Sequence, residues 1–208
     1  MLSRSIFAVR VDLLLGVFGA LLPATVGTVL GATSGYLGGW FDSLTMRVAD
    51  AAQAFPFHIF LIALVFALGA GPRAFLIAIT MIGWVAYARL IRAEVLRLRH
   101  ADFVAAARLS GFGHRRVLFR HVLPNAIPQT IVYLAGDIVL VLITLSAVSY
   151  FGLGVQPPTP EWGQMIASGA KYLQREWWLA TFPGLMIVVT GTGFTLIADG
   201  LDDRRRES

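Results

Sequence analysis

Residues 122–161 read VLPNAIPQTIVYLAGDIVLVLITLSAVSYFGLGVQPPTPE, and Asp137 is the only charged residue inside this run. A helix needs about 20 apolar residues to cross the roughly 30 Å hydrocarbon layer of a membrane. Four more uncharged runs occur, at 13–41, 51–72, 74–88 and 177–198. Only the run at 74–88 is short, and the stems of Arg89 and Arg92 extend it by about a turn. The sequence therefore predicts five transmembrane helices, at about 13–35, 51–70, 74–93, 128–151 and 177–198.

The composition agrees with a membrane protein. Of the 208 residues, 57% are hydrophobic and 14% are charged, and the mean hydropathy is +0.72. Soluble domains contain about 25% charged residues, and the lack of cysteine excludes disulfide scaffolds, thiol chemistry and cysteine-ligated metals. The runs are apolar on all sides, whereas the strands of a membrane barrel alternate in polarity. We therefore expect an all-α membrane protein with a single transmembrane domain over residues 1–208.

Glycines recur along the first run, at Gly16, Gly19, Gly27, Gly31 and Gly35. Small residues allow membrane helices to approach closely, so this face is expected to pack against other helices. The alternative is that glycine is simply commoner in membrane helices.

The charges predict the orientation. With the amino terminus outside, twelve Lys and Arg residues fall on the inner side and five on the outer side. The positive-inside rule then assigns residues 94–124 and the carboxyl terminus to the cytoplasm. Because a chain that begins outside needs a segment to carry it there, we expect a further span upstream of residue 1.

Apart from the tails and the external loop, residues 94–124 form the only sizeable polar stretch. Apolar residues at helical spacing predict one amphipathic helix over 95–109, which Gly111 ends by adopting a left-handed conformation. A second short helical piece, HRRVLFRHV, is predicted to end at Leu123 and Pro124. The arginines of this hairpin are also suited to anionic lipid headgroups. The small side chains of Ala105, Ala106 and Ala107 instead indicate docking to another protein.

The pattern VAAARLSGFGHRRVLFRHVLPN, residues 104–125, resembles the cytoplasmic signature loop of permease subunits in binding-protein-dependent ABC importers. Its Glu-Ala-Ala triplet falls on Ala105, Ala106 and Ala107, followed by Arg108, its glycine on Gly111, and its Leu-Pro pair on Leu123 and Pro124. Two positions depart from the pattern: Ala105 replaces an acidic residue, and His121 occupies a hydrophobic position.

Four further stretches resemble the dipeptide, oligopeptide and nickel permeases, specifically the second of their two paired subunits. They are GYLGGWFDSLTMRVADAAQAFP, GWVAYARLIRAEVLRLRHADFVAAAR, SYFGLGVQPPTPEWGQMI and FPGLMIVVTGTGFTLIADGLDD. The resemblance implies the core of a type I ABC importer permease, in which residues 94–124 are the coupling segment.

The resemblance also implies the partners: a second homologous permease subunit, two cytoplasmic ATPase subunits that carry ATP and Mg, and an external substrate-binding protein. The chain has no G-x-x-x-x-G-K-[ST] phosphate loop of its own. We therefore expect a transport subunit for peptides or similar small solutes, without catalytic residues, cofactor or metal. A stand-alone channel or a secondary carrier is the alternative function, since glycine-broken helices occur there too.

Two further sets of residues are candidates for function. The external loop 152–176 holds Pro157, Pro158, Glu161, Trp162 and Gly163, which either shape the outer mouth and touch the binding protein or only anchor the loop in the headgroup layer.

Asp137 is the one acid deep in a span, where a carboxylate is costly. It either lines the translocation path, where it would meet a substrate's ammonium group, or accepts a hydrogen bond from a neighbouring helix such as the one that bears Tyr87 or His58.

Overall fold

The computed structural model describes the backbone of residues 2–207 and the side chains of residues 3–203. All regular structure in this part of the chain is helical. In chain order the helices are α1 (Leu2–Leu37), α2 (Gly39–Gln53), α3 (Phe57–Leu68), α4 (Pro72–Leu98), α5 (Asp102–Leu109), α6 (His114–Val117), α7 (Leu123–Tyr150), α8 (Trp162–Ala170) and α9 (Trp178–Glu207). A π-helical turn, Leu118–Val122, joins α6 to α7. The side chains of Arg204, Arg205 and Arg206, which the charge count assigns to the inner side, lie outside the described residues.

Within the described residues, four helical stretches are long and apolar enough to cross a membrane: Ser3–Leu37, Pro72–Leu98, His114–Tyr150 and Trp178–Asp203. To within one residue they contain the spans predicted at 13–35, 74–93, 128–151 and 177–198. A fifth crossing exists if α2 and α3 count as one bent span, because the two helices meet at 88°. The predicted all-α class is confirmed, and the predicted number of five is reached only with this bent pair.

The span predicted at 51–70 differs from the structure. Residues 51–53 belong to the end of α2, and α3 covers only the 12 residues Phe57–Leu68. A helix of that length is about 18 Å long, well short of the hydrocarbon thickness. The break falls at Pro56, since proline lacks a backbone N–H and disfavours a helical conformation in the residue before it.

The glycine face of α1 packs against two helices, as predicted. A Cβ atom added at Gly27 or Gly31 would collide with the backbone of α4, at Trp84 and Ala88 respectively. Near the other end of α1, a Cβ atom at Gly16 would lie 2.7 Å from a methyl group of Leu142 on α7. Hydrogen in place of a side chain therefore allows α1 to contact the backbone of α4 directly.

Two ion pairs join α2 to α4. The guanidinium of Arg92 donates to both carboxylate oxygens of Asp42, at 2.5 and 2.6 Å, and Arg89 donates to Asp50 at 2.6 Å. Each of the two arginines therefore has a carboxylate partner within the chain, and α4 continues past both of them to Leu98.

Candidate functional site

Residues 95–109 belong to two helices, α4 and α5, rather than to the one amphipathic helix predicted there. Helix α4 ends at Leu98, residues 99–101 turn, and α5 begins at Asp102. Val95 and Val104 are both buried in one apolar cluster. Nine residues apart on a continuous helix, they would point in roughly opposite directions at about 100° per residue. Burial of both valines in the same cluster therefore requires the break.

Helix α5 buries one face and exposes the other. Val104 and Ala107 pack with Val117 and Val122 of the returning chain, whereas Ala105 and Ala106 are exposed. Leu109 is 90% exposed and Phe103 is 41% exposed. The predicted alanine triplet is thus divided, since Ala107 contributes to the core of its own chain. We call Phe103, Ala105, Ala106 and Leu109 the α5 outer face.

The turn after α5 confirms the predicted role of Gly111 in ending the helix. Its φ is +79°, in the left-handed region that favours glycine. The N–H of Gly111 donates to the carbonyl of Arg108 at 3.0 Å, and the N–H of Phe112 donates to that of Ala107 at 3.3 Å. This pair of bonds is the Schellman motif. The motif fixes the direction in which the chain leaves the α5 outer face.

The returning piece does not end at Leu123 and Pro124 as predicted. Helical backbone continues from His114 through the π-helical turn into α7 and on to Tyr150. A proline ring in a helix clashes with the carbonyl four residues earlier, and a π-helical turn widens the helix at that point. Leu123 is half-buried and Pro124 is exposed. The segment and α7 are therefore one continuous element.

Aromatic and basic side chains attach the segment to the rest of the bundle. Tyr36, at the end of α1, has its hydroxyl 3.5 Å from Nδ1 of His114 and its ring 5.5 Å from the guanidinium carbon of Arg108. His121 stacks on Phe112 with ring centroids 5.8 Å apart. The ring stacking suits the hydrophobic position that His121 occupies in the sequence pattern. The contacts of Tyr36 hold α5 and α6 against the end of α1.

A cavity of about 360 Å³ lies between α1, α3, α4 and α7. Asp137 lines it from α7, and the hydroxyl of Tyr87 on α4 donates to its Oδ2 at 2.7 Å. The alternative that Asp137 accepts a hydrogen bond from a neighbouring helix is confirmed, and a role in the translocation path stays a prediction. His58, the other candidate donor, lines the same cavity from α3.

The segment 152–176 is packed into the bundle at Glu161, Trp162 and Gly163. All three residues are buried, whereas Pro157 and Pro158 are exposed. The Glu161 carboxylate accepts from the N–H groups of Gly163 and Gln164, each at 2.8 Å, and so caps α8. This burial leaves the three residues unable to touch a binding protein or the headgroup layer directly.

The amino-terminal end of α8, which Glu161 caps, packs against α1. The backbone N–H of Trp162 donates to Oδ2 of Asp12 at 3.2 Å, and its indole N–H donates to the carbonyl of Ser5 at 3.0 Å. A Cβ atom at Gly163 would collide with the backbone of Ser146 on α7. Glu161, Trp162 and Gly163 therefore join α8 to α1 and α7, a role that sequence reasoning missed.

Comparison with known proteins gives a family match for most of the chain. Residues 27–207 match the family model described as the binding-protein-dependent transport system inner membrane component. The oligopeptide transport system permease protein OppC of Haemophilus influenzae is 36% identical over 203 residues, which are 98% of this chain and 65% of that protein. The di/tripeptide transport system permease protein DppC of Pseudomonas aeruginosa is 38% identical over 203 residues, with 98% and 67% covered. The chain thus spans about two thirds of the length of these relatives.

Solved structures share the fold. An inward-facing form of the MetNI methionine ABC transporter matches with a TM-score of 0.70 at 14% identity, over 94% of this chain and 95% of that chain. An amino acid ABC transporter matches with a TM-score of 0.63 at 17% identity, over 99% of this chain and 94% of that chain. At such low identity the likeness establishes the fold alone.

Proposed function

Because the chain belongs to the family of binding-protein-dependent transport system inner membrane components, we propose that it is a permease subunit of an ATP-driven importer of peptides or similar small solutes. It forms half of the translocation path in a bacterial or archaeal cytoplasmic membrane, with its carboxyl terminus in the cytoplasm. Relatives named as oligopeptide and di/tripeptide permeases support this substrate class.

The observation that carries this proposal is the α5 outer face. Leu109 is 90% exposed at the end of a helix whose other face is locked into the bundle through Val104 and Ala107. An exposed leucine beside two alanines offers a partner protein apolar area and close backbone approach. The partner we propose is a cytoplasmic ATPase subunit, one of two, each of which carries ATP and Mg.

Movement of the ATPases reaches the spans through the backbone described above. α5 is fixed by the turn at Gly111 to α6, and α6 continues without interruption into α7. A displacement of the α5 outer face therefore moves the helix that lines the cavity. The complete importer also contains a homologous permease and an external binding protein. The exposure of Pro157 and Pro158 supports a contact between these residues and the binding protein.

The test is co-purification of the ATPase subunits with the complex. Leu109→Asp places a carboxylate on the α5 outer face without disturbing the chain's own core, so the ATPase should be lost from the purified complex. Leu173→Asp is the matched control, because Leu173 is 51% exposed in the external loop. Full ATPase recovery with Leu109→Asp would contradict the docking role.

A second variant separates an importer from the alternative of a stand-alone channel or carrier. Gly111→Leu forces a bulky side chain into a left-handed turn, which redirects the chain between α5 and α6. ATP hydrolysis by the complex should then continue without substrate uptake. Uptake that stays normal, and equally uptake that never depends on ATP, would count against the proposal.

A further inference from the structure

Asp137 lies at the middle of α7, about 20 Å along the helix from either end at about 1.5 Å per residue. Its carboxylate faces the cavity between α1, α3, α4 and α7. A carboxylate at this depth needs a compensating partner, because unpaired charge in hydrocarbon is costly. The hydrogen bond from Tyr87 at 2.7 Å supplies one donor and no positive charge.

The rest of the described chain does not supply that charge. Among residues 3–203, no nitrogen of Lys, Arg or His lies within 4.0 Å of the Asp137 carboxylate. Neighbouring arginines of α4 already have partners, since Arg89 pairs with Asp50 and Arg92 with Asp42. His58 and the two phenols of Tyr87 and Tyr133 are the other titratable groups around the cavity.

The shape of the cavity indicates what kind of cation would fit. Its volume of about 360 Å³ lies within the range of small-molecule sites. The walls are mostly aliphatic, and Leu140 and Val141 line them on the same helix as Asp137. The ring of Tyr133, one helical turn before Asp137, also lines the cavity and meets Tyr87 edge to face at 5.0 Å. An aromatic ring and a carboxylate together suit an organic cation.

The hydrogen-bond geometry favours an ammonium group over other cations. Tyr87 already donates to Oδ2, so one oxygen of Asp137 remains for a ligand. A guanidinium prefers two parallel bonds to a carboxylate, and a divalent metal takes several oxygen ligands where this cavity offers one carboxylate. An alkylammonium group needs only one strong acceptor.

We infer that the cavity is a binding subsite for the protonated amino group of a small solute such as a short peptide, with Asp137 as acceptor and the Tyr133 ring beside it. This inference rests on the proposed function, and it deepens that function by giving the permease its own contact with the substrate. Tyr87 acts as a positioning residue, because it holds the carboxylate and does not itself face the ligand's charge.

The test uses the membrane complex of both permease subunits and both ATPase subunits, purified in lipid nanodiscs without the binding protein. Equilibrium binding of radiolabelled trialanine amide is compared with binding of N-acetyl-trialanine amide, which has no ammonium group. We expect the wild-type complex to prefer the free amine. Asp137→Asn should weaken the binding of trialanine amide at least about tenfold, since it removes a charge-assisted hydrogen bond. Tyr133→Leu should weaken it a few-fold, and Tyr133→Phe should not.

The amide introduced by Asp137→Asn still presents an oxygen to the Tyr87 hydroxyl, so this variant should leave the unfolding temperature of the complex unchanged. Glu176→Gln is the matched control, because it makes the same chemical change on an exposed residue of the external loop. Equal binding by the wild type and Asp137→Asn, no saturable binding by the wild type, or equal affinity for the acetylated peptide would each overturn the inference. Loss of ATPase subunits from the preparation would instead count against the proposed function.

Discussion

Because α1 contacts the backbone of α4 at Gly31, we expect Gly31→Ala to destabilise the protein, whereas helix propensity alone would predict that it stabilises the protein. In an ordinary helix, replacing glycine with alanine gains about 1 kcal/mol. At Gly31, the new Cβ would lie 2.8 Å from the Cα of Ala88 and 2.9 Å from its carbonyl carbon. Carbon atoms in van der Waals contact are about 3.5–4.0 Å apart, so the two helices must separate by about 1 Å.

The expected loss follows from the kind of atoms that collide. Overpacking typically costs about 1–3 kcal/mol, and the upper end applies here because backbone atoms cannot rotate away as side chains do. After the gain in propensity, Gly31→Ala should destabilise the protein by about 2 kcal/mol. For a chain of this size that corresponds to a decrease in the unfolding temperature of about 4–8 °C. Thermal unfolding of the purified complex in detergent measures this change.

Gly193→Ala provides the control. Gly193 lies within α9, and a Cβ atom there would meet nothing within 4 Å in this chain. Its substitution should leave the unfolding temperature unchanged or raise it. Equal unfolding temperatures for the Gly31→Ala and Gly193→Ala proteins would refute the close approach of α1 and α4.

Three further predictions concern other contacts. Trp162→Phe removes the indole hydrogen bond to α1 and leaves a void at a fully buried position. It should therefore lower the free energy of unfolding by about 2 kcal/mol, measured by thermal unfolding. An unchanged unfolding temperature would argue against the burial of this residue. Alanine substitutions of Arg92 and Asp42, singly and together, should give a coupling energy of about 1 kcal/mol in a double-mutant cycle, and strictly additive effects would exclude the ion pair. Gly111→Ala should destabilise by about 1–2 kcal/mol because of its positive φ, while Gly113→Ala, with a φ of −66°, should have an effect near zero.

Features that depend on one residue type were predictable from the sequence alone. The glycines of α1 predicted a close helix contact because a missing side chain leaves room wherever the partner lies. Gly111 predicted the end of α5 because the left-handed conformation is a property of the residue itself. Such features need no knowledge of which helix packs against which.

The direction in which a helix runs, and the face that it buries, were not predictable from hydropathy. Averaging over residues 51–70 gives one apolar run, although the chain bends by 88° where α2 meets α3. The apolar stripe from Val95 to Leu109 indicated one buried face, whereas Leu109 is almost fully exposed. A usable signal was present, because Val95 and Val104 cannot share one buried face on an unbroken helix.

Contacts between residues far apart in the sequence were also not predictable. Trp162 and Glu161 carry side chains that suit a membrane surface, so their sequence neighbourhood indicated an interfacial loop. The burial of Trp162 depends on Asp12 and Ser5, which lie 150 and 157 positions earlier in the chain. Ser, Thr, Asp and Asn are the preferred N-cap residues, so glutamate at position 161 gave no capping signal, although its carboxylate caps α8 in the structure.

The uninterrupted helical backbone from His114 to Tyr150 has a mechanical consequence. It is a rod of about 55 Å that runs from the turn after α5 to the segment 152–176. If the rod pivots near Asp137, its outer arm is about 20 Å long and its inner arm about 35 Å. A tilt of about 10° would move the two ends in opposite directions, by about 3 Å at Tyr150 and about 6 Å at His114, while the carboxylate at the pivot stays almost still.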